Sequence, residues 1–366
     1  MKTYFLAIPA LLASTALVHA GGIDRSGQSI NALFESGRYA EFSFGHIDPS
    51  TSGTSTMAVP PPSLSNVSSG DMTSSYLQFG AAYKADINDK LSYAIIYDQP
   101  FGADVDYPTP TGYYAQGAQA DLESHAITGL LRYRMNENFS VHGGLRVQTI
   151  EAVAAVPFVA GYTVNGERDT GVGYVAGVAY ERPDIAMRVA LTYSSSIDHE
   201  VDTTEFGAIM STTEIETPQS VNLDFQTGIA ADTLLFGGVR WVDWSSFDIT
   251  PAQYQGATGG SLVSYDDDVF TYSLGVGRRL NDNWSVSASV GYEKSNGGFA
   301  SNLGPTDGNK SLALAAVYTR DNMKITTGVR YVNIGDAETT LNGANASGEF
   351  EDNDALAFGV KVGFTF

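Results

Sequence analysis

Alternation with period two runs through this 366-residue chain, and it continues to the last residue. In LSYAIIYD, at 91–98, Leu91, Tyr93, Ile95 and Tyr97 share one face, opposite Ser92, Ala94 and Asp98. The closing LAFGVKVGFTF does the same, with Leu356, Phe358, Val360, Val362, Phe364 and Phe366 on one face. Ala357, Gly359, Lys361, Gly363 and Thr365 fall on the other. An apolar face backed by a small or charged one suits a strand between lipid and water. It also suits the last strand of a soluble sandwich, so the connections must decide.

The connections alternate in length. Asn88–Lys90, Asn136–Asn138, Arg182–Asp184, Ala231–Thr233, Asn281–Asn283 and Asp321–Asn322 each join two alternating segments. Asn and Asp suit such turns because they tolerate the left-handed backbone conformation. Between the pairs lie longer polar stretches near 48–73, 99–121, 152–169, 198–217, 248–265, 296–309 and 336–353. A soluble all-β protein has no need for every second connection to be short. An even strand number with short turns at one end and long loops at the other is the pattern of an outer-membrane barrel. The expected fold is all-β, a transmembrane antiparallel β-barrel of about fourteen strands over 39–366. No segment after residue 20 offers the roughly 18 apolar residues of a spanning helix, and only a closed barrel otherwise spans lipid.

The first twenty residues, MKTYFLAIPALLASTALVHA, carry Lys2, an apolar run from Phe5 to Leu17 and a small residue at Ala20. This is the pattern of a secretory signal at 1–20. The chain has no cysteine, so an exported form relies on its sheet and not on disulfides. Its formal charge of -21 argues against nucleic acid, which needs basic patches. The expected location is the bacterial outer membrane, with both termini and the short turns periplasmic. Lipid and lipopolysaccharide are then the surroundings. The C-terminal Phe366 resembles the signal read by the barrel-assembly machinery.

Parity sorts the charged residues. With Val141, Leu145 and Val147 facing lipid, His142, Arg146 and Gln148 face inward, and Arg132, Arg134, Arg188, Arg240, Arg330 and Lys361 follow. Arg or Lys on the lipid face near the midplane costs about 2–4 kcal/mol. Two readings of the inner arginines stay open. They pair with luminal acids such as Glu123, Glu181 and Glu293, or they meet an anionic head group, since Arg binds carboxylates bidentately. Enzyme chemistry is not expected: the histidines have no metal-ligand spacing and no G-x-S-x-G motif occurs. No catalytic residue, metal site or cofactor is assigned. The acidic runs Asp266–Asp268 and Glu349–Asp352 read as solvated loops, with calcium as the rival reading.

Two stretches break the pattern. Residues 21–38 precede the first strand, and Ile30, Leu33 and Phe34 give them an apolar side that suits a plug in the lumen. DQPFGADVDYP follows a regular strand, and in it Pro100 removes a ladder donor while Gly102 permits a bend. Gln99, Pro100 and Gly102 are candidates for a gap in the wall. A plain loop start fits them equally.

Together these features resemble the FadL-type family of outer-membrane transporters of long-chain fatty acids and other hydrophobic compounds. The resemblance is carried by RYRMNENFSVHGGLRV, ALTYSSSIDHEV, TPQSVNLDF leading to WVDWSSF, RRLNDNWSVSASVGYEKS and the closing strand. It implies a fourteen-stranded barrel closed by an N-terminal hatch, and lateral release of ligand through a kink in the third strand. It places the hatch at 21–38 and the kink at Gln99–Gly102. The expected function is passive transport of hydrophobic small molecules, foremost long-chain fatty acids. Aromatic-hydrocarbon uptake and a surface-receptor barrel without transport are the alternatives. The expected ligand-binding residues are Leu33, Phe34, Phe101, Arg146 and Arg188. The Asn-Pro-Ala element common in the family is absent, its nearest match being Ser29–Phe34.

Overall fold

The computed structural model describes residues 23–56, 65–341 and 343–366. The leader expected at 1–20, and the first two residues of the expected hatch, lie outside them. Fourteen antiparallel strands close into a barrel. They are β1 (Tyr39–Ser50), β2 (Tyr76–Asp86), β3 (Leu91–Asp98, resuming as Gly102–Asp106), β4 (Gln119–Arg134) and β5 (Phe139–Val156). Next come β6 (Tyr162–Arg182), β7 (Met187–Ser194, resuming as Ile197–Glu205), β8 (Ile209–Thr217, resuming as Ser220–Ala230) and β9 (Thr233–Val242). The remainder are β10 (Val269–Arg279), β11 (Trp284–Glu293), β12 (Asn309–Arg320), β13 (Met323–Ile334) and β14 (Asp354–Thr365). β1 and β14 close the wall in antiparallel register, from Tyr39↔Thr365 to Ser50↔Asp354. Closure leaves no sheet edge whose backbone groups would stand unpaired in hydrocarbon. β1 begins and β14 ends at the short-turn end, where Phe366 N–H donates to the Arg38 carbonyl at 2.9 Å.

The outward face is the apolar one. Leu145 (63% exposed), Ile127 and Val172 point away from the lumen, while Arg132, His142, Arg146 and Gln148 are buried inside. Aromatics ring the short-turn end, with Phe139–Tyr180 and Trp284–Tyr318 ring centroids 4.8 and 5.0 Å apart. A second set, including Tyr174–Tyr193 and Phe270–Tyr272, marks the other end. Two such belts delimit the band that lies in hydrocarbon.

Three sequence readings need correction. Glu123 faces outward, on the side of Ile127 and Leu131, and its side chain is 58% exposed. It sits beyond the aromatic belt, where an outward carboxylate is hydrated. Most of 152–169 and 198–217 is strand and not loop, because β5–β8 continue past the membrane into water. Both faces of a strand can be polar there, so the hydrophobic contrast that marks a spanning segment fades. The 48–73, 296–309 and 336–353 stretches contribute to a four-stranded cap of Gly53–Ser55, Phe299–Ala300, Ala337–Thr340 and Ala346–Phe350.

Candidate functional site

The expected hatch enters the lumen. Residues Asn31–Phe34 form one 3₁₀ turn, with Leu33 fully buried and Ile30 and Ala32 nearly so. These side chains pack on the inner faces of β2, β3, β4 and β6 through Ala82, Ala94, Ile96, Leu130 and Val175. The Phe34 ring lies between two guanidinium groups, Arg132 and Arg188, each 4.6 Å from its centroid. His142 meets the ring edge-on at 5.8 Å. Arg188 also donates to Asn31 Oδ1 at 3.0 Å. Arg240 donates to Asp24 Oδ2 at 2.7 Å, with both side chains buried. Asn222 donates to the Gly27 carbonyl at 2.9 Å. Inner-wall arginines are thus spent on the hatch and on wall acids, among them the Arg132–Glu181 pair.

The wall is interrupted in β3. Asp98 pairs with Ala126 and Gly102 with Glu123, so Gln99, Pro100 and Phe101 stand opposite only Ser124 and His125. This extra residue is a bulge, and it bends the strand and flips its parity. Ser124 Oγ stitches the bend by accepting from Phe101 N–H and donating to its carbonyl, both at 2.8 Å. Below the break β3 pairs with β2 from Ala81↔Tyr97 to Asp86↔Ser92. Above it, Gly102–Asp106 pairs with β4 alone among the described barrel strands. The upper half of β2, Tyr76–Gly80, therefore faces a slot and not a strand. Gln99 caps the slot's lower end: its side-chain Oε1 accepts from Phe79 N–H at 2.7 Å.

A mostly apolar cavity, open to solvent, lies inside the barrel beside this slot. Val105, Leu122, Val164, Val201, Ile215 and Leu262 line it, with Phe247 and Tyr265 from the loop after β9. Ile23, Arg25, Tyr76, Gly102 and Asp104 form its slot side. Arg25 is the one cationic side chain among the described lining residues. Of the expected ligand-binding residues, Leu33, Phe34, Arg146 and Arg188 stand away from this cavity. Arg146 is buried and donates to Thr128 Oγ1 at 2.9 Å. Phe101 is buried behind the lining, edge-on to Trp244 with centroids 5.9 Å apart. Sequence reasoning missed Trp244, Phe247, Arg25 and Tyr76; WVDWSSF was the available signal for the first two.

Loops roof the cavity region. Tyr107 donates to the Asn302 carbonyl and Tyr114 to Asn302 Oδ1, each at 2.7 Å. Tyr113 packs at a tilt on Tyr114, with centroids 4.3 Å apart, and meets Phe350 of the cap edge-on. Burial pushes the Tyr107, Tyr113 and Tyr114 hydroxyls above the usual tyrosine range. Asp268 accepts from Trp241 Nε1 at 3.0 Å and from Ser245 Oγ at 2.7 Å, which fixes the same loop. Among the described residues no group of three or more His, Asp or Glu is placed to hold a metal ion.

A closed barrel with an apolar exterior band, with residues 23–38 packed in its lumen and its wall broken beside an apolar cavity, defines the class: an outer-membrane transport barrel. The chain belongs to the OMPP1/FadL/TodX family of outer membrane transport proteins, whose family profile matches residues 40–366. No curated protein sequence matches it. Among solved structures it is similar to a Pseudomonas aeruginosa FadL homologue, at TM-score 0.73 and 15% identity over 92% of each chain. It is also similar to the P. putida toluene transporter TodX, at TM-score 0.64 and 10% identity over 92% of each chain. The Ralstonia pickettii toluene transporter TbuX gives TM-score 0.63 and 13% identity, over 92% of this chain and 91% of that one. At these identities the likeness is one of fold.

Proposed function

We propose that this protein carries long-chain fatty acids passively across the bacterial outer membrane and releases them sideways into the bilayer through the break in β3. The observation that carries the reading is the apolar cavity lying directly against that break, while the hatch fills the lumen beside β2, β3, β4 and β6. Each methylene kept out of water is worth about 0.8 kcal/mol. An acyl chain in the cavity therefore moves into lipid more readily than into the periplasm. The short turns and both termini face the periplasm, and the roofed loops face outward. Phe366 is the strand end handed to the assembly machinery. Gln99, Pro100 and Gly102 shape the gap, Phe101 supports its inner edge, and Leu33 and Phe34 keep the downward route shut. Arg146 and Arg188 meet a carboxylate only after the hatch shifts. No cofactor and no catalysis are involved.

A second reading, neutral aromatic hydrocarbons, is favoured by one observation. The outer side of the slot is acidic, with Asp104, Asp106 and Asp121 around a shallow recess of mixed polarity. Carboxylates there oppose the passage of an anion. The deciding experiment measures uptake of labelled oleate and labelled toluene by cells that lack their own transporter and express this protein. Replacing Gln99–Phe101 by a regular two-residue strand segment should abolish the protein-dependent uptake of the true cargo. Protein-dependent oleate uptake that survives this closure contradicts lateral release. Toluene uptake alone moves the cargo to the second reading.

A further inference from the structure

The slot in the wall is not empty. Residues Ile23–Arg25 lie antiparallel to Pro100–Gly102, with Asp24 opposite Phe101. Gly102 N–H donates to the Ile23 carbonyl at 2.9 Å and Arg25 N–H to the Pro100 carbonyl at 2.8 Å. Ser26 Oγ donates to Asp98 Oδ2 at 2.6 Å. The N-terminal segment thus acts as a surrogate strand along the part of β3 that turns away from β2.

Arg25 then crosses the slot from wall to wall. Its guanidinium carbon lies 3.9 Å from the centroid of the Tyr76 ring on β2. Its Nη2 pairs with Asp104 Oδ2 on the upper half of β3 at 2.5 Å. The Arg25 side chain is 13% exposed and that of Asp104 is 27% exposed. A cation held on an aromatic face and by a carboxylate at once joins the two elements that the bulge has parted. Gly102 makes room for it: a Cβ there would stand 2.5 Å from the Arg25 guanidinium carbon. The ion pair spans 79 positions of sequence, so closing it fixes the chain start against the wall.

We infer that Arg25 is the bolt of a lateral gate: the described structure is its shut state, and the gate opens when Arg25 leaves Tyr76 and Asp104, taking Ile23–Ser26 off the break. The inference builds on the lateral-release reading, but the gate itself is tested without any cargo. The chain has no cysteine, so Ile23→Cys is a unique reporter on the cavity side of the gate. Its labelling rate by a membrane-impermeant maleimide is measured on purified protein in detergent, alone and combined with Arg25→Gln or with Gly102→Ala. Heat-modifiable gel migration verifies that each barrel is folded. Arg25→Gln removes the charge. Gly102→Ala keeps every charge and displaces only the guanidinium, and its backbone needs no left-handed conformation.

Both changes should raise the labelling rate roughly tenfold, the factor for losing one charge-assisted contact. Unchanged rates in the two folded variants would overturn the gate. Faster labelling with Arg25→Gln alone would also overturn the bolt geometry, because the glycine substitution must expel the same group. Oleate uptake is scored separately. If labelling responds but oleate is not carried, the gate stands and the cargo assignment falls.

Discussion

Phe34 packs inside the lumen against two cations and a histidine. An aromatic ring between Arg132 and Arg188 gains from both cations, and each such contact is worth about 0.5–2 kcal/mol depending on desolvation. Phe34→Ala should therefore loosen the hatch without opening the barrel. Single-channel recordings in planar bilayers should show a higher open probability, with unchanged heat-modifiable migration; unaltered conductance would show that Phe34 does not seal. Tyr107, Tyr113 and Tyr114 give a pH test of the roof. Their raised values mean that the folded state favours the neutral phenol. Their stabilisation is complete below about pH 10, the ordinary tyrosine value, and is lost as pH climbs through the raised folded values. Tyrosinate absorbance should accordingly show a late-ionising class that vanishes in denaturant. A single class titrating near the ordinary value would contradict the buried roof. At this scale Leu33 and Phe34 were visible as the apolar side of the mixed segment before the first strand, and parity located the inner arginines. Arg25 was not legible, because its partners Tyr76 and Asp104 reach it only when the barrel closes.

The hatch lies outside the barrel ladder, although Ile23–Arg25 hydrogen-bonds to the bulge. The barrel ladder closes through Tyr39↔Thr365 and its neighbours, upstream of which the hatch contributes no barrel strand. Deleting residues 23–37 should leave a folded, heat-modifiable barrel with a marked rise in ion conductance. A variant that fails to assemble in membranes would show that the hatch is part of the folding unit. The strands themselves were readable where lipid and lumen impose opposite demands on alternate residues. They were unreadable above the membrane. Ile197–Glu205 still turns Ile197, Val201 and Glu205 inward, but water on its outer face leaves polar residues there and a loop-like composition. Pro100 and Gly102 announced an irregularity. The sequence could not say whether it began a loop or broke a wall, because that depends on Gly102–Asp106 resuming its pairing with β4.

At the scale of the whole molecule, a chain of charge -21 pairs several acids with arginines inside the barrel and carries its apolar surface in one outer band. Within the barrel, polar groups hold the hatch while the cavity beside the break stays almost free of cations. On the proposed lateral-release reading, that division makes a sideways path cheaper for a greasy solute than a path along the axis. Photoreactive long-chain fatty acid, supplied to the purified protein in lipid vesicles, tests this most directly. After irradiation and peptide mapping, label should fall on both sides of the slot, within Tyr76–Gly80 and Gly102–Asp106, and on the cavity lining. Label concentrated at the short-turn rim, around Asn136–Asn138 or Asn281–Asn283, with none at the slot, would contradict lateral release.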